Sequence, residues 1–296
     1  MNKVLKGYLS LMRPANLPTA AADIFAGVTI SGLLATGEVS QASVISLVCL
    51  VLASVFLYAG GVVLNDAFDY KLDQIERPER PLPSGLIPVS SAALFGAFLL
   101  LIGIAFAFYV HNFSGFFAMG LAASIVAYDG FSKMFGFLGP LNMGLCRSLN
   151  LLLGMSIFGS ISNPWIAIIP LVYIFAITLI SRGEVHGNNK RHIIWAGILY
   201  ALVIFGVVSM VYVQTSEIMP MLLFLAVFGF LVFRPLINAY RLNSPGNIKK
   251  AVIAGVLSLI VLDAAIAVGF SVWWYGLLIL LLLPLSMLLS KIFAVT

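Results

Sequence analysis

Five of the eleven carboxylates in this chain fall in one stretch, Asn65 to Gly85, which reads NDAFDYKLDQIERPERPLPSG. Asp66, Asp69, Asp73, Glu76 and Glu79 stand there against Lys71, Arg77 and Arg80. On a continuing helix Asn65, Asp69 and Asp73 are spaced i, i+4, i+8 and share a face, and Asp66 joins them at three and seven residues. Carboxylates crowded in this way repel one another unless a cation lies between them. Hard oxygen donors select Mg²⁺ over softer metals, and Mg²⁺ takes only one or two protein carboxylates, completing its octahedron with water and phosphate oxygens. The spacing therefore predicts a Mg²⁺ site built from Asn65, Asp66, Asp69 and Asp73 that receives a phosphate or diphosphate. Arg77 and Arg80, one turn apart, offer forked donors suited to phosphate oxygens. Pro78, Pro81 and Pro83 end the helix and fold this arm back over the metal. The competing reading, a solvated loop at a membrane surface, leaves the shared Asp face and the paired Arg unexplained.

A second polar run, SRGEVHGNNKRH, spans Ser181 to His192. Arg182, Lys190 and Arg191 add cations near a diphosphate, and Glu184 and His186 are suited to take a proton from an acceptor hydroxyl. A positive anchor with turns at Gly183 and Gly187 is the plainer account. It suits Lys190, Arg191 and His192, whereas Arg182 and Glu184 are read as functional. Asp23, Arg147 and Asn150 lie inside apolar segments, where a charge costs roughly 2.5–3.5 kcal/mol at a helix centre and needs a partner. Arg147 and Asp23 are expected to face each other, either lining an acceptor cavity under the two loops with Asn150 or forming a structural interhelical pair. Asp263, toward the outer half and far from every cation in the sequence pattern, is read as a packing residue.

The elements that must position these groups are long and apolar. The 296 residues are 61% hydrophobic and 9% charged, with mean hydropathy +1.10, too apolar to keep a soluble surface wet. With a window of about 19 residues, apolar segments fall near 15–35, 42–64, 90–110, 113–131, 139–161, 164–181, 193–213, 219–238, 250–269 and 271–292. Their runs do not alternate as β-barrel strands do. The fold class is therefore all-α, a polytopic transmembrane bundle of nine or ten spans, with residues 1–296 read as one domain carrying loops at 65–89 and 181–192. The turns on one side, near 36–41, 111–114, 161–164, 214–218 and 270–272, contain no Lys or Arg. The positive-inside rule then places both polar loops and the N-terminus in the cytoplasm, as for a bacterial-type inner membrane. Lys3 and Lys6 precede an apolar stretch without a small-residue cleavage site, so that stretch is expected to stay as the first helix. The net charge of +5 lies along one membrane surface, which favours anionic headgroups as partners over nucleic acid. Cys49 and Cys146 fall inside spans with no metal-type spacing, so neither a disulfide nor a zinc site is expected.

Asn65-Asp66-x-x-Asp69-x-x-x-Asp73 followed by Arg77-Pro78-x-Arg80-Pro81-Leu82-Pro83-Ser84-Gly85 resembles the first signature of the UbiA superfamily of intramembrane prenyltransferases. Arg13-Pro14 with Asn16 at the first span, and a second polar loop after the sixth, extend the resemblance over the whole chain. It implies Mg²⁺-dependent transfer of a prenyl group from an isoprenyl diphosphate to a small acceptor at the cytoplasmic side. It also implies a Tyr/Lys patch near the diphosphate, matched here by Tyr128 and Lys133, with Asp129 between them as an acceptor contact or a cap. The family's second loop carries two or three acids for another Mg²⁺; here only Glu184 is acidic, with Asn188 or Asn189 as neutral help. This loop is similar to that of the EboC-like branch, which implies an acceptor from specialised metabolism. The alternative is a transporter or lipid-handling protein that keeps the phosphate site without turnover.

Overall fold

The computed structural model describes residues 2–34, 40–184, 187–216 and 218–293. Among them every regular element is helical: α1 (Lys3–Leu11), α2 (Leu17–Ile30), α3 (Gln41–Phe68), α4 (Tyr70–Glu76), α5 (Val89–Val110), α6 (Asn112–Gly130), α7 (Leu138–Met155), α8 (Ile168–Ser181), α9 (Lys190–Thr215), α10 (Met219–Arg241), α11 (Pro245–Phe270), α12 (Trp273–Leu280) and α13 (Leu282–Ile292). Nine helical stretches among the described residues are long and apolar enough to cross a membrane, the last being α12 and α13 together. The first expected span is the shorter α2, fourteen residues and almost wholly buried. It packs on α3, α7, α11 and α13 and forms the centre of the bundle. Large apolar side chains such as Leu94, Leu101, Phe116, Phe205, Val213 and Leu223 are exposed on the outer helices, a surface that only lipid stabilises. The chain is an integral membrane protein.

Helix ends are set locally. Ser40 caps α3 by accepting from Ser43 N at 3.1 Å, and Ser244 precedes Pro245 at the first position of α11, both standard N-terminal signals. His111 is the extended residue that separates α5 from α6, and its Nδ1 accepts from Phe113 N at 3.0 Å.

Close backbone contact fixes how the central helices rotate. A Cβ on Gly27 of α2 would stand 2.6 Å from Leu151 O and 2.8 Å from Gly154 Cα of α7. In a bilayer, where lipid and leucine are equally apolar, such small-residue crossings let helices bind through dispersion contacts. The α2–α7 crossing brings Asp23 against Arg147, as described below.

Candidate functional site at the ends of the second and fourth spans

α3 breaks at Asp69, and α4 resumes one residue later. The hydrogen-bond ladder hardly notices the break: Asp69 N donates to Asn65 O at 2.9 Å and Asp73 N to Asp69 O at 2.8 Å. The expected helical run is thus present with a small kink. Beyond Arg77 the proline-rich arm turns back, with Arg80 N donating to Arg77 O and Ile87 N to Pro81 O. Leu82 and Ile87 are 2% and 1% exposed and join Leu11 of α1 and Val63 of α3 in one apolar cluster. Their burial docks the arm and turns Arg80 inward.

The expected single face of oxygen ligands is divided in two. Arg80 Nη1 lies 2.8 Å from Asp73 Oδ2 and 3.4 Å from Asp66 Oδ1, and Arg13 Nη2 donates to the same Asp66 oxygen at 2.6 Å. On the other side Lys133 Nζ donates to Asp69 Oδ1 at 2.6 Å, while Asn65 Nδ2 donates to Asp129 Oδ1 at 2.7 Å. Each carboxylate has a cation or an amide against it, Asp66 and Asp73 sharing Arg80, which is how crowded like charges are stabilised. Asp66, Asp73, Arg80 and, on the other side, Asp129 are all buried.

Arg13 was seen in the sequence only as part of an Arg-Pro pair. The structure makes it a site residue, held at φ 47°, ψ 64° in the left-handed region. A non-glycine residue there costs of order 1–3 kcal/mol, a strain found where the surroundings dictate a side chain's aim. Pro14 is the only sequence signal for it. Arg77 and Arg80 do not act as one fork: Arg80 is buried between the aspartates, whereas Arg77 is exposed and acts electrostatically on Glu184.

The second loop meets the first through that field. Glu184 is half-buried; burial raises its carboxyl above the ordinary range, and Lys249 and Arg77 partly offset this. Such a group binds its proton more tightly folded than unfolded. Its contribution to stability therefore falls as pH rises from the ordinary carboxylate range until the folded-state group has also ionised. From the ordinary carboxylate range upward, Glu184→Gln is expected to flatten that part of the thermal-stability profile and to remove an acid limb from the activity profile. Identical profiles for wild type and variant would show that Glu184 has no such role.

Arg182 Nη2 donates to Phe135 O at 3.1 Å, tying the loop to the α6–α7 connection, and Tyr128 lies within the fields of Asp69, Asp129 and Arg182. Asn189 is not placed to help a metal: its Nδ2 donates to Ile180 O at 2.9 Å and its backbone N to Asn243 Oδ1 at 3.0 Å, so it closes the loop. Lys190 lies over the Tyr240 ring at 5.4 Å, as an anchor would. His186 falls outside the described residues.

Asp23, Arg147 and Asn150 do come together, on α2 and α7. Arg147 Nε stands 2.8 Å from Asp23 Oδ2 and Asn150 Nδ2 donates to that oxygen at 2.7 Å. Arg147 Nη2 also donates to Thr19 O. The isolation expected of Asp263 is overturned: it is 2% exposed and interacts with Asp23 and Arg147, because α11 packs against α2. Cys49 and Cys146 are free thiols.

Among the described residues no three His, Cys, Asp or Glu side chains converge as a metal cage. Mg²⁺ needs no such cage, only one or two carboxylates. Asp66 and Asp73 both direct a carboxylate oxygen at Arg80 Nη1, while Asn65 and Asp69 offer their oxygens on the other side of the run. The donor set fits Mg²⁺, and Arg13, Arg80 and Lys133 are the cations a phosphate would take over from the carboxylates.

A family model described as "UbiA prenyltransferase family" matches residues 25–182. A digeranylgeranylglyceryl phosphate synthase from Methanococcoides burtonii is 38% identical over 52% of this chain and 56% of its own length, so the chain spans little more than half of that relative. Among solved structures, a UbiA homolog from Aeropyrum pernix K1 superposes with TM-score 0.69 at 14% identity, covering 85% of this chain and 97% of that one. A UbiA homolog from Archaeoglobus fulgidus bound to DMAPP and Mg²⁺ superposes with TM-score 0.59 at 18% identity, covering 88% and 99%. These two show a shared fold.

Proposed function

The chain belongs to the UbiA prenyltransferase family, and on that premise we propose that it transfers a prenyl group from an isoprenyl diphosphate to a hydroxyl-bearing acceptor at the cytoplasmic side of the membrane. The single observation that carries the reading is the pairing of Asp66, Asp69 and Asp73 with Arg13, Arg80 and Lys133 at one helix end. Oxygen donors for a hard cation and side chains that seek phosphate then alternate around one rim. Asn65, Asp66, Asp69 and Asp73 would hold Mg²⁺, which supplies charge neutralisation for the departing diphosphate. Arg13, Arg80 and Lys133, joined from the rim by Arg77 and Arg182, bind the diphosphate oxygens and stabilise the charge that grows on them. The allylic carbon–oxygen bond breaks with its electron pair leaving on diphosphate. The acceptor oxygen bonds to the freed carbon, and its proton passes to Glu184.

Lysine and arginine crowd the side of the chain that carries both loops, and this supports a cytoplasmic site and N-terminus in an inner membrane. The acceptor class has two readings. The name of the Methanococcoides burtonii relative describes two geranylgeranyl groups on a glyceryl phosphate. Applied to this chain, that name favours a glyceryl phosphate lipid that already bears one of them. The SRGEVHG loop, with Glu184 its sole acid, favours the EboC-like branch and a smaller specialised acceptor.

Purified protein incubated with Mg²⁺, labelled prenyl diphosphate and both acceptor classes is expected to release diphosphate. Asp69→Ala is expected to abolish that release, by analogy with the large losses seen when a preorganised electrostatic contact is deleted. Tight binding of the prenyl diphosphate with no release under either acceptor would instead identify a lipid-handling protein.

A further inference from the structure

A cavity of about 560 Å³ opens at the face that carries the two loops, between α1, the returning proline arm and the end of α13. Lys3, Lys6 and Lys291 line it together with Arg13 and Arg80, against only Asp66 and Glu79. Lys3 and Lys6 stand one turn apart on α1, on the face that also carries Gly7 and Ser10. Lys291 reaches in from the last turn of α13. Among the described residues none of the ion pairs involves these three lysines. Asp66, by contrast, is already committed to Arg13 and Arg80. Five cations, Lys3, Lys6, Lys291, Arg13 and Arg80, outnumber the two acids of this recess, Asp66 and Glu79, and an anion among the lysines relieves the remaining repulsion. The remaining wall is apolar, from Leu11, Leu86, Ile292 and Phe293.

Arg13, Asp66 and Arg80 belong both to this cavity and to the carboxylate rim. A group held by the lysines is therefore a neighbour of the diphosphate site while lying outside it. We propose that the cavity is the acceptor's headgroup site. It takes a phosphate-bearing amphiphile whose phosphate sits between Lys3, Lys6 and Lys291, whose tail follows the apolar wall toward lipid, and whose hydroxyl is presented past Arg13 to the reacting carbon. This rests on the prenyl-transfer reading and selects the glyceryl phosphate class within it.

The test uses the full chain in nanodiscs and three probes: a mono-geranylgeranylated glyceryl phosphate, the same lipid without its phosphate, and inorganic phosphate as competitor. The triple variant Lys3→Gln, Lys6→Gln, Lys291→Gln is expected to raise KM for the phosphorylated lipid about tenfold or more, the scale of losing charge-assisted contacts. KM for the prenyl diphosphate should move much less, and wild type's preference for the phosphorylated lipid should collapse. Lys→Arg at the same positions, which keeps the charge, is expected to restore most of the affinity. Inorganic phosphate that competes with the lipid in wild type but not in the triple variant shows that the phosphate is what the lysines hold. A rise in KM for the prenyl diphosphate instead would give the cavity to the donor and overturn the proposal, as would equal use of the two lipids by wild type. Equilibrium binding of the labelled phospholipid to wild type and triple variant reads the site without turnover. If wild type binds that lipid through the lysines yet releases no diphosphate, the prenyl-transfer reading fails and the headgroup site stands.

Discussion

Asp66→Asn is expected to lower diphosphate release on the order of a hundredfold to a thousandfold, the loss typical when one preorganised electrostatic contact is removed. The same change is expected to weaken the fold. Asp66 is 7% exposed and receives two guanidinium groups, from Arg13 at 2.6 Å and Arg80 at 3.4 Å. Without its charge Arg13, whose side chain is 27% exposed, loses its carboxylate and the buried Arg80 keeps Asp73 at 2.8 Å, and breaking a buried pair on one side costs up to about 3 kcal/mol. Asp69 supplies the contrast. Among the described residues its ion pair is with Lys133, and both side chains keep access to water, at 28% and 21%. Such a pair contributes about 0–1 kcal/mol. Asp69→Asn should therefore lose activity to a similar degree with a nearly unchanged melting temperature. Diphosphate release and thermal unfolding in detergent, measured on both variants, separate the two effects. Full activity in Asp69→Asn would remove the carboxylate rim from the chemistry.

Arg147→Met is expected to be the most destabilising single change in the membrane interior, by about 3–5 kcal/mol. It would leave the Asp23 carboxylate, fully buried in α2, without a cation, its remaining neighbours being Asn150 at 2.7 Å and the Asp263 carboxyl. The double variant Asp23→Leu, Arg147→Met removes both charges, and replacing a buried pair by apolar residues of similar volume is often neutral or stabilising. Most of the lost stability should return. The activity of that double variant then decides between the two roles open to the pair. Retained prenyl transfer makes it an interhelical brace between α2 and α7. Lost transfer in a stably folded protein makes it part of the acceptor cavity. A double variant no more stable than Arg147→Met would refute the ion-pair account of its stability.

Much of the site was legible in the chain. The spacing of Asp66, Asp69 and Asp73 implied a helical run, and the ladder through Asp69 bears this out. The prolines after Arg77 implied a return arm, and the arm returns. What spacing could not show was that the run faces two ways. Asp66 and Asp73 turn to Arg80, while Asn65 and Asp69 turn to α6 and its following residues. Nor could it show Arg13 as a partner of Asp66, 53 residues on, or Asp263 as a neighbour of Asp23. Each of these depends on which side of one helix meets which side of another.

The amino-acid sequence alone determined that the chain lives in a bilayer, roughly where its spans fall, and which loops gather charge. Those properties are local: hydropathy adds up residue by residue, and prolines and caps act within a turn. The tertiary structure alone decided which acid meets which cation and that three lysines from opposite ends of the chain share one recess. Those outcomes follow from helix rotation and crossing, which contacts as close as Gly27 on Gly154 set and which no single segment encodes.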